Sequence, residues 1–225
     1  MKNHRRAAGV LLLSFGLVPG LAGAEEAKSG NHGYFGVGLL LESNNASTPA
    51  GDFSSTGGGL VINGAGIVDL GGPVGMGLTG GFGFAGRTDT DSDVSISEGQ
   101  FGFDAGVVIA DIFYASLGLN LLNQTPDDTD VMVSYATVPL GLGVLIGSDT
   151  GYVLGQLRFG AGEASNDQNN VTEDLTFVGI RLVGQTGTAH GLQFMGGLEF
   201  DAYDLTDLDT TDNYFRFFFG AGFGG

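Results

Sequence analysis

Asn213-Tyr-Phe-Arg-Phe-Phe-Phe-Gly-Ala-Gly-Phe-Gly224 sets Phe215, Phe217, Phe219, Ala221 and Phe223 at one parity, and Tyr214, Arg216, Phe218, Gly220, Gly222 and Gly224 at the other. A period of two is that of a β-strand, whose successive side chains leave opposite faces. One face is wholly apolar; the other mixes aromatic rings, glycine and a guanidinium. Such a strand suits the wall of a closed barrel whose outside meets lipid and whose inside is narrow and partly polar.

The same alternation recurs upstream. Ten segments carry it: 34–43, 57–68, 74–86, 95–109, 112–123, 131–147, 152–163, 173–185, 192–203 and 213–224. Most reach the roughly 9 to 11 residues of a tilted transmembrane strand. Tight connections rich in turn formers fall at 69–73, 110–111, 148–151 and 186–191, and longer, acidic or amide-rich ones at 44–56, 87–94, 124–130, 164–172 and 204–212. Short periplasmic turns and longer outer loops are the expected asymmetry of an outer-membrane barrel, with both termini in the periplasm. Hairpins begin at 34, 74, 112, 152 and 192. Propeller blades recur at a similar interval, but each needs four short strands, and here an interval holds two long ones. The expected fold is therefore all-β: a closed antiparallel up-and-down transmembrane barrel of ten strands, with eight strands as the alternative.

The N-terminus points to the compartment. Lys2, Arg5 and Arg6 precede an apolar stretch, and Ala22-Gly23-Ala24 is a small-x-small pattern. Residues 1–24 read as a cleaved export signal, leaving 25–225 as one barrel domain. With no cysteine in the chain, neither a lipoprotein anchor nor a disulfide is available. The 43 glycines disfavour helices. The net charge of −17 repels nucleic acid, and three of the eight basic residues lie in the leader.

Period-two reading assigns faces. Phe35, Val37, Leu39 and Leu41 point outward, as do Phe113, Leu117, Leu119 and Leu121, and Leu192, Phe194, Leu198 and Phe200. Gly64, Gly66, Gly75, Gly77, Gly81 and Gly83 are expected to face inward, leaving space there. Also inward are Glu42, Glu98, Asp104, Glu199 and Asp201, with Arg158, Arg181 and Arg216. Opposite charges in a narrow lumen should pair: Arg216 with Glu42 or Asp201, and Arg158 and Arg181 with Glu199 or Asp104. Two functions follow from this network. It rigidifies a plugged barrel with a structural or surface-interaction role, or it forms the constriction of a narrow, porin-like passive channel for small solutes.

The C-terminal aromatic strand, with Arg216 early in it, resembles the assembly signal of the small bacterial outer-membrane β-barrel proteins, and the pattern resembles that class over the whole mature chain. The resemblance implies a Gram-negative outer-membrane location. It also implies contact with lipid and lipopolysaccharide, and insertion by the barrel-assembly machinery.

Other motifs carry less. Asp89, Asp91 and Asp93 have a spacing that can surround calcium, but Val94 and Gln100 stand where an EF-hand needs glycine and glutamate. A solvated acidic rim is the plainer reading, and no cofactor is expected. Gly75-Met-Gly-Leu-Thr-Gly80 fits a dinucleotide fingerprint but lies within a strand. The only histidines are His4, His32 and His190, none expected at the outer rim, so general-base chemistry there lacks its usual residue and no enzymatic activity is expected.

Overall fold

Every alternating segment forms a strand in the computed structural model, which describes residues 32–90, 92–127, 131–148, 151–168, 171–187 and 191–224. The strands are β1 (His32–Thr48), β2 (Gly51–Asp69), β3 (Val74–Asp89), β4 (Ser95–Ile109), β5 (Phe113–Pro126), β6 (Val133–Ser148), β7 (Gly151–Asn166), β8 (Val171–Gly187), β9 (Gly191–Leu205) and β10 (Thr210–Gly224). Each pairs antiparallel with its sequence neighbours, and β1 pairs with β10 to close a ten-stranded barrel. The expected export signal, 1–24, lies outside the described residues.

The strands run further than expected at one end. The connection expected over 44–56 is instead a hairpin in which β1 and β2 stay paired to Thr48 and Gly51. Residues 204–212 are absorbed by β9, a single 3-10 turn (Thr206–Leu208) and β10. The cause is that backbone pairing needs no apolar side chains. Ser43, Asn45 and Ser47 continue the outward parity of β1 as polar residues, and the ladder runs on beneath them. This end, with the β1–β2 hairpin, is called the upper end; the start of β1 and the end of β10 share the lower end. The described lower connections, at 70–73 and 110–112, are tight. Ala110 and Asp111 both take positive φ (53° and 59°), the backbone of a type I′ hairpin turn, which matches the twist of the flanking strands.

Outward positions form a continuous apolar band. Leu39, Phe84, Leu117, Leu142, Leu157, Val178 and Phe219 are among its exposed members. About five outward positions per strand are apolar or glycine, and within the band none is Asp, Glu, Lys or Arg. Ten residues at about 3.3 Å each, tilted by about 40°, span roughly 25 Å. Above the band the outward residues turn polar at Thr56, Thr88, Ser97, Glu163, Asp174 and Asp204.

Large inward side chains form two clusters. The lower one includes Tyr34, Ile67, Val108, Tyr114, Leu145, Tyr152, Leu154 and Met195. The upper one comprises Leu122, Tyr135, Ala164, Leu175, Phe177, Tyr203, Leu205 and Tyr214. Two glycine expectations need correction. Gly64 and Gly66 face outward, because Val61, Asn63, Ala65 and Ile67 take the inward parity of β2. Gly77 beds a ring rather than leaving space, since a Cβ there would lie 2.7 Å from the Tyr114 ring, as one on Gly197 would lie 2.6 Å from the Phe218 ring, whereas Gly81 and Gly83 line open space in the lumen.

Candidate functional site: the charged belt

Between the two clusters lies a belt of charge, and the strand register accounts for its closest pairs. Glu42 stands opposite Arg216 across the β1–β10 seam, and Glu199 stands between Arg216 on β10 and Arg181 on β8. The structure brings all eight expected lumen residues into this layer. Arg216 forks three ways: Nε lies 3.5 Å from Glu42, Nη1 3.0 Å from Asp201 and Nη2 3.4 Å from Glu98. Glu98 belongs to β4, so this contact spans the lumen. Arg181 reaches Asp104 and Glu199, each at 2.6 Å. Arg158 meets neither of its expected partners. It approaches Asp201 at 3.6 Å and stacks over the Phe177 ring at 5.2 Å.

A fourth guanidinium was missed. Arg87, expected in an outer loop, sits in β3 and is almost completely buried. Its Nε lies 3.1 Å from Glu42 and its Nη2 3.0 Å from Glu98, and its Nη1 donates to Ser55 at 2.7 Å. Arg87 and Arg216 therefore hold Glu42 and Glu98 between them as a four-charge box. The signal for Arg87 was present: the inward parity of Gly83 and Ala85 continues through Arg87 to Asp89.

The box is roofed by a polar network from the upper cluster. Asp212, also expected in a loop, is inward and buried. Its carboxylate accepts from Tyr135 Oη at 3.1 Å, from Tyr214 Oη at 3.0 Å and from Asn44. Gln124 donates to Tyr214 Oη, and the Tyr214 ring makes cation–π contacts with the guanidiniums of Arg216 (4.4 Å) and Arg87 (5.3 Å).

Electrostatics explains the density of these contacts. An ion taken out of water loses several kcal/mol of solvation even after relaxation, so a buried charge persists only when paired and hydrogen-bonded. Glu42, Glu98, Asp104, Asp201, Arg87, Arg158 and Arg216 are each at most 5% exposed. Chemically the arrangement crosslinks strands on opposite sides of the lumen.

The aspartates of the upper end are scattered. Asp89 is buried at the end of β3, where it accepts from the Ser92 backbone N–H (2.7 Å) and hydroxyl (2.8 Å). Asp93 is exposed with φ of 58°, and Asp91 lies outside the described residues, as do His4 and His190. Among the described residues no three His, Asp or Glu side chains converge as metal ligands would.

No protein-family model matches the sequence, and no curated protein matches it. Among solved structures, the chain is similar to the outer-membrane protease OmpT of Escherichia coli at 10% identity, over 86% of this chain and 95% of that one, with a TM-score of 0.48. It is also similar to the β domain of the Bordetella autotransporter BrkA (14% identity, 84% and 98% covered, TM-score 0.48). The translocator domain of the Neisseria meningitidis autotransporter NalP is similar to the same degree (13% identity, 88% and 90% covered, TM-score 0.48).

Proposed function

We propose that this chain is an integral β-barrel of a bacterial outer membrane, closed to solutes, with a structural or surface-interaction role. The observation that carries the reading is the layering of the lumen: an ion-pair belt that reaches from β10 to β4, held between an apolar and tyrosine-rich lower plug and an aromatic upper plug. The membrane location rests on the uncharged outward band of roughly 25 Å, the height expected for the lipid-facing belt of such barrels. The upper end, which carries exposed Asp52, Asp127, Asp167, Asp204, Asp207 and Asp209, faces outward from the cell, and the termini face the periplasm. Lipopolysaccharide, bridged to these carboxylates by divalent cations, is the partner this chemistry suits. The role is non-enzymatic: buried carboxylates committed to arginines are poor general bases.

Fractionation tests the placement. The expected result is recovery in the outer-membrane fraction, with faster electrophoretic migration before boiling than after. Recovery as a soluble periplasmic protein contradicts it.

A further inference from the structure

Midway along the lumen the belt leaves a cavity of about 110 Å³. Four residues lining it are more than nine-tenths buried and carry polar atoms without a hydrogen-bond partner: Nε and Nη2 of Arg158, one carboxylate oxygen on each of Asp104 and Asp201, and Oδ1 of Asn63. Arg158 is the most loosely held guanidinium of the belt. Its one ion contact among the described residues, 3.6 Å to Asp201, is longer than a hydrogen bond, whereas Arg87, Arg181 and Arg216 each have contacts at 3.1 Å or less. A buried donor or acceptor left unmade bears its whole desolvation cost, so these atoms call for a ligand.

The mixture of signs selects its chemistry. An anion seated on Arg158 would face Asp104 and Asp201, and a cation seated on those carboxylates would face Arg158. A neutral molecule that both donates and accepts satisfies both sides. One water needs about 10 to 15 Å³ of such space, so the cavity has room for several.

We propose that the cavity is a binding site for a cluster of ordered waters that joins Arg158 to Asp201, Asp104 and Asn63. The cluster supplies the hydrogen bonds that the belt lacks and gives Arg158 room to exchange partners while the other arginines stay fixed. Its waters exchange slowly, because a plug lies above and below them; in this respect the proposal rests on the closed-lumen reading.

The test is water-selective NOE spectroscopy on the full mature chain in detergent micelles, with arginine side chains labelled with nitrogen-15. Long-lived water cross-peaks to the Arg158 Nε–H are expected, and they should weaken in Asn63→Leu, a near-isosteric change that removes one acceptor and keeps the folded spectrum. A folded barrel without these cross-peaks and without bilayer current overturns the water site alone. Short-lived water contacts accompanied by steady bilayer current overturn the closed lumen and the bound cluster together. A chloride or sodium ion found in the cavity by anomalous scattering overturns the choice of a neutral ligand.

Discussion

Glu42 and Arg216 face each other across the seam where β1 meets β10, paired in register and 3.5 Å apart at their closest atoms. Glu42 is also held by Arg87, and Arg216 also by Glu98 and Asp201. The seam between the first and last strands is thus tied to β3, β4 and β9 by the same two residues. Arg216→Met should strand buried Glu42, Glu98 and Asp201 in part, at a cost of about 3–5 kcal/mol. Urea unfolding in micelles, followed by loss of heat-modifiable migration, measures it; an unchanged midpoint would show that the belt does not hold the seam.

Arg158→Met should cost far less, within about 1 kcal/mol, because Asp201, which Arg158 approaches at only 3.6 Å, keeps Arg216 at 3.0 Å and is not left as an unpaired buried charge. The same unfolding measurement separates the two arginines. Equal losses would mean that charge count, rather than partner geometry, sets their value.

The outward band should be graded by depth. Leu117→Arg, near mid-band, should cost about 2–4 kcal/mol, and Thr56→Arg, above the band, about 0–1 kcal/mol. Folding titrations into lipid vesicles check this, and equal penalties at the two sites would contradict a lipid-facing band.

Inward glycines that bed rings should resist even one methyl group. Gly77→Ala places a Cβ 2.7 Å from the Tyr114 ring, whereas Gly86→Ala meets nothing within 4 Å. The first should lose about 1–3 kcal/mol by overpacking and the second should stay near the parent. Comparing the two midpoints in one urea series decides it.

The strands and their faces were legible because period-two alternation is a local property: Phe215 to Phe223, and Leu39 with its neighbours, declare their side without any partner. The upper strand ends were not legible. Polar runs such as Asn44-Asn45-Ala46-Ser47 look like loops, yet their backbone goes on pairing. That error hid Arg87 and Asp212, which parity alone would have placed inward. The Arg216 contacts with Glu42 and Asp201 follow from strand adjacency, while its contact with Glu98 crosses the lumen and depends on barrel diameter and stagger, which no single strand encodes. Gly64 and Gly66 were misplaced for a related reason: a glycine-rich strand has weak parity, and only the neighbouring Leu60 and Ile62 reveal its outer face.

The closed lumen is tested most directly by single-molecule conductance of the refolded mature chain in a planar bilayer. Two plugs and an intervening ion-pair belt should give no steady unitary current across the working voltage range. A stable, reproducible unitary conductance from the unmodified protein would contradict the closed barrel and make the belt a selectivity constriction instead.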